Sequence, residues 1–94
     1  MKMILCIDDE KLSLDTITLI CESSGHPTIG FTSPIKALEY VKENHNNIGL
    51  IFLDLMMPEI YGLNALKKIR HNKNTSDIPV IINSCLSDPE EINK

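Results

Sequence analysis

Three continuous apolar runs, "MILCI" at residues 3–7, "IGLIFL" at 48–53 and "IPVII" at 78–82, constrain the fold more than any other feature of the chain. A strand with one wet face alternates apolar and polar residues. These runs do not alternate, which is the pattern of strands covered on both faces in a parallel sheet. "TIGFT" at 28–32 is a weaker, edge-like fourth strand. Each run is followed by a stretch with helical spacing: Leu14, Ile17, Ile20 and Cys21, then Ile35, Leu38 and Val41, then Leu63, Leu66 and Ile69. Gly25 is placed to end the first helix, and Ser33-Pro34 to cap and open the second. The alternation predicts a doubly wound α/β parallel sheet, whose ligands bind at the carboxyl ends of the strands. A length of 94 residues with 43% hydrophobic content suits one small domain.

The polar residues at the strand ends therefore carry the functional information. They are Asp8 and Asp9 after the first strand, Asp54 after the third and Ser84 after the fourth, and all should face one crevice. Taken alone, "DDE" reads as a helix cap whose acids suit the positive end of the macrodipole, and Asp54 as a cap for the helix near Gly62. Three carboxylates converging in one pocket ask for more, because two unit charges ~5 Å apart repel by about 3 kcal/mol at an effective dielectric near 20. A hard divalent cation relieves that repulsion with oxygen ligands. Mg²⁺, with Mn²⁺ as the alternative, suits a site that keeps waters and accepts a phosphoryl oxygen. Asp54 can then act as a nucleophile toward phosphorus, with Ser84 supplying a hydroxyl donor.

Charge and composition exclude other classes. Nine basic against 13 acidic residues give a net charge of −4, with no basic footprint for nucleic acid and no polybasic stretch for a membrane. The five apolar residues at 3–7 are too few for a signal-peptide core, so a cytoplasmic location is expected. Cys6, Cys21 and Cys85 are odd in number, far apart and embedded in apolar pattern, and read as small core residues. His26, His45 and His71 fall at helix ends or in the loops after them, as solvated groups.

"IDDE", "DLMMPEIYG" and "PVIINSC", in that order and with 45 residues from Asp9 to Asp54, closely resemble the receiver domain of two-component response regulators. The resemblance covers the whole chain and implies a flavodoxin-like receiver fold with strand order 2-1-3-4. It further implies that Asp54 is the phosphoacceptor and that Asp8 and Asp9 form the Mg²⁺ pair, with Asp9 the direct ligand. The backbone carbonyl of Met56 would complete the metal ligands, and Ser84 would be the switch hydroxyl. Pro58 and Gly62 look like loop-shaping residues. The implied partners are a sensor histidine kinase or a phosphotransfer protein, and the implied role is that of a phosphoacceptor rather than an enzyme.

Two departures stand out. Tyr61 occupies a position before Gly62 where many family members have aspartate. The sequence given also stops at Lys94, so residues 1–94 read as a receiver domain lacking its fifth strand and helix, and no Lys-Pro pair is present. On that reading phosphorylation is slow, and the uncovered edge of "IPVII" favours a homodimer. A phosphorylation-independent interaction domain remains open, as does an aspartyl-nucleophile phosphohydrolase, although Met56 stands where that class needs a second acid.

Overall fold

The computed structural model describes residues 2–54 and 59–83, with side chains for all of these except 59–63 and 83. The elements alternate as the sequence predicts: β1 (Met3–Ile7), α1 (Lys11–Ser23), β2 (Thr28–Phe31), α2 (Pro34–Asn44), β3 (Ile48–Asp54), α3 (Glu59–His71) and β4 (Val80–Asn83), with a 3-10 turn at His45–Asn47. The four strands form one parallel sheet in the order β2-β1-β3-β4.

Alternation along the strands divides the apolar residues between two faces. Leu5, Ile7, Ile51 and Leu53 pack with Ala37 and Val41 of α2 and with Ala65 and Ile69 of α3 in the main core. The opposite face of β1 carries Cys6, which meets Cys21 of α1. Over β2, Gly30 lets α1 sit close: a Cβ there would lie 3.0 Å from Leu14 Cδ1 and 3.1 Å from Thr18 Cγ2.

The helix ends follow their sequence signals. Ser33 caps α2 by accepting the Lys36 amide at 3.3 Å, with Pro34 in the first turn. After α1, Gly25 adopts φ +90°, the His26 amide reaches Cys21 O at 3.1 Å, and the Gly25 amide reaches Glu22 O at 3.0 Å. This paired reach-back is a Schellman closure, and it needs a residue that tolerates the left-handed region. Beyond α3, Arg70 donates to Ser76 O and Ile78 O, both at 2.8 Å, and buried Thr75 Oγ1 donates to Ile69 O at 2.6 Å. These bonds hold the loop that feeds β4.

Two expectations are corrected. Ile20 and Ile35 belong to the apolar spacings of their helices, yet they are 59% and 61% exposed. The stripe α1 buries is centred on Leu14 and Cys21, and α2 buries Ala37 and Val41. A helix lying on a sheet covers only a narrow arc, and both isoleucines fall outside it. Leu63 lies among residues whose side chains are not described, and Cys85 lies outside the described residues.

No atom lies within 4 Å of a Cβ built on Gly25, so Gly25→Ala adds no clash, and its cost is purely that of the positive φ. The substitution should lower unfolding free energy by about 1 kcal/mol, measured by urea denaturation, with an unchanged circular dichroism spectrum.

Candidate functional site

Parallel pairing of β1 with β3 sets Ile7 against Leu53, so the next residues, Asp8 and Asp54, emerge side by side at the carboxyl edge of the sheet. Asp54 is the last residue of β3 itself, paired with Asn83 of β4. Asp8 is tied on its other side, where its amide donates to Phe31 O at 3.1 Å. Its Oδ1 accepts the Glu10 amide at 2.9 Å, which turns the chain into α1.

The plain capping alternative does not describe these acids. Glu10 is the N-cap of α1 and makes no side-chain bond to the helix backbone, and α1 carries no acid in its first turn. Glu10 instead accepts from Ser13 Oγ at 2.6 Å. Helix α3 begins at Glu59, too far along for Asp54 to be its N-cap.

Asp8, Asp9 and Asp54 each offer a carboxylate oxygen within 4.8 Å of the others. Asp8 and Asp54 are only 4% and 5% exposed, whereas Asp9 is exposed. Burial pushes the Asp8 carboxyl up to about 6 from an ordinary 3.8, with a hydrogen bond and like charge from Asp54 and the charge of Glu10 adding to it. The Glu10 amide opposes this rise. A cluster with two buried acids, one of them holding its proton toward neutrality, favours a cation in its midst. Hard oxygen donors of this kind fit Mg²⁺ or Mn²⁺. The backbone tie from Glu10 to Asp8 could not be read from the sequence pattern, although the "DDE" triplet contains both residues. Ser84, Met56 and Pro58 lie outside the described residues, and Gly62 and Tyr61 are placed only as backbone of α3.

A family model of the response regulator receiver domain matches residues 4–94. The chain belongs to the response regulator receiver domain family. It is 36% identical over 87 residues to chemotaxis protein CheV1 of Helicobacter pylori, an alignment covering 89% of this chain and 27% of CheV1. The chain thus spans about a quarter of that relative. Among solved structures, the N-terminal domain of a response regulator receiver protein from Methanoculleus marisnigri JR1 is 32% identical with a TM-score of 0.79, covering 97% of this chain and 73% of that one. A chain of the CheX–CheY–BeF3–Mg²⁺ complex from Borrelia burgdorferi is 25% identical with a TM-score of 0.80, covering 98% and 68% respectively. The strand order and three helices of this receiver domain are those of its structural neighbours. Its general role is that of a phosphoreceiver.

The raised Asp8 pKa has a signed consequence. Folding raises the pKa of this group, so the folded state binds the proton more tightly than the unfolded chain does. The stability this contributes is fully present below about 3.8 and is lost as pH rises through about 6. With divalent cations chelated, the receiver domain should lose stability between about pH 4 and pH 6, and Asp8→Asn should flatten that slope and melt several degrees higher than the parent at pH 7 (roughly 4–8 °C per kcal/mol). Thermal melts across pH, with parent and variant side by side, make the comparison.

Proposed function

We propose that this receiver domain, residues 1–94, accepts a phosphoryl group on Asp54 from a histidine kinase or a phosphotransfer protein, with a divalent cation at the acidic cluster. The observation that carries the reading is the position of Asp54: a buried carboxylate at the carboxyl end of a central strand, within 4.8 Å reach of Asp8 and Asp9. The presence of Mg²⁺ in the Borrelia CheX–CheY–BeF3 complex supports the choice of cation.

In the proposed reaction an Asp54 carboxylate oxygen attacks phosphorus, forming an acyl phosphate as the phosphorus–nitrogen bond of the donor phosphohistidine breaks and its imidazole departs. Asp9, the exposed member of the cluster, would be the direct metal ligand, together with Asp54 and the Met56 carbonyl, while Asp8 would sit behind them. Bound Mg²⁺ or Mn²⁺ would offset the charge of the carboxylates and of the transferring group. Rigid placement is the contribution of the fold: β1 and β3 fix Asp8 and Asp54 by their register, so little ordering is left for the reaction. Ser84 is proposed as the hydroxyl that turns toward the phosphoryl oxygen and passes the change to a protein partner. A cytoplasmic setting belongs to the same reading, and among the described residues no helix is long and apolar enough to cross a membrane.

Treatment with acetyl phosphate and Mg²⁺ should add one phosphoryl group, located at Asp54 by mass spectrometry. Asp54→Asn should abolish it, and undiminished labelling of that variant would defeat the assignment. Asp9→Ala should weaken Mg²⁺ binding by about tenfold or more, equivalent to roughly 1.4 kcal/mol, in a calorimetric titration.

Self-association is a separate part of the proposal. Among the described residues β4 is an outer strand with Ile81 and Ile82 exposed, an edge on which a second copy can pair. Light scattering should then report a mass that rises with protein concentration, whereas a constant monomer mass would exclude the edge pairing.

A further inference from the structure

The face of the molecule covered by α2 and α3 carries a cavity of about 690 Å³ between the two helices, away from the acidic cluster. Its apolar wall is formed by exposed Ile35 and partly buried Leu38, over a floor of the buried core residues Val41 and Ile69, and its polar rim by Lys42, Lys68, His71 and Glu39. Ile35 is an exposed apolar side chain here, while its helix buries Ala37 and Val41. Among the described residues neither Lys42 nor Lys68 forms an ion pair, and the one salt bridge found, Lys11 with Asp15, lies on α1. A rim of two lysines and a histidine facing one glutamate is opposite in sign to the chain as a whole, which carries −4.

We propose that this groove docks an acidic amphipathic helix of a partner protein. The groove supplies the two things such a helix needs: an apolar trough along α2 with Ile35 and Leu38 one turn apart, and cations at one end, beginning with Lys42 a further turn on. Both α2 and α3 connect parallel strands and pack on the same core, so they run in the same direction, and Lys42, Lys68 and His71 stand toward their C-terminal ends. A partner helix running antiparallel to them brings its N-terminal turn to those cations. Acids are favoured in that turn by the partner's own dipole, so one sequence feature satisfies both. Charge complementarity thus selects both the occupant and its direction.

The probe is a helix-forming peptide of roughly 14 residues, with two glutamates in its first turn and leucines at i, i+3 and i+7, against a control with lysines in place of the glutamates. Methyl NMR of the unphosphorylated domain should show shifts at Ile35, Leu38, Val41 and Ile69 with the acidic peptide and not with the control. Lys42→Glu combined with Lys68→Glu should weaken binding by about tenfold, and Ile35→Ser should weaken it with an unchanged melting temperature, since that side chain is exposed. The proposal is overturned if the acidic peptide gives no shifts, if both peptides bind equally, or if the charge-reversed variant binds as the parent does. It is also overturned if decanoate shifts the same methyls as tightly as the peptide, since the groove would then be a site for a small anionic amphiphile. None of these results depends on whether Asp54 is phosphorylated.

Discussion

The structure turns on the pairing of β1 with β3, because that register brings two carboxylates together where both are nearly cut off from water. Ile7 against Leu53 leaves Asp8 and Asp54 with no freedom to separate. Like charges within 4.8 Å of one another repel by about 3 kcal/mol or more at an effective dielectric near 20. The fold tolerates this because the strands behind the acids are apolar along their length and buried against helices, so the arrangement is fixed by the core rather than by the site. Burial first, and then the hydrogen bond and charge of Asp54, push the Asp8 carboxyl up.

Polarity along the strands organises the rest. Parallel strands end together at one edge of the sheet, and the helices that return between them end at the other. The acids Asp8, Asp9 and Asp54 therefore collect at the carboxyl edge, while Lys42, Lys68 and His71 collect where α2 and α3 finish. Cations near helix C-termini also meet the negative end of the macrodipole. The result is a small acidic domain with an acidic cluster at the carboxyl edge of the sheet and a group of cations where α2 and α3 end. The two faces of the sheet differ as well: the α2–α3 side holds the continuous core, while the α1 side rests on a narrower contact through Leu14, Cys21 and the close approach at Gly30.

Much of this was determined by the sequence alone. Continuous apolar runs identified the strands, with "MILCI" matching β1 residue for residue, because strands buried on both faces admit no polar alternation. Gly25 and Ser33-Pro34 marked helix ends because only particular residues satisfy those backbone geometries, and the acids at the strand ends marked the crevice. Only the tertiary structure decided which part of each helical spacing is buried: Ile20 and Ile35 fit the period yet stay exposed, since the arc a helix buries depends on where it lies on the sheet. Tertiary structure also decided that Asp8 is buried and Asp9 exposed, a difference set by the turn that bonds the Glu10 amide to Asp8. The groove between α2 and α3 likewise joins residues about 30 positions apart, and no local pattern encodes it. Periodicity and backbone preference are local properties of a chain, whereas burial, charge coupling and cavities arise from distant segments meeting.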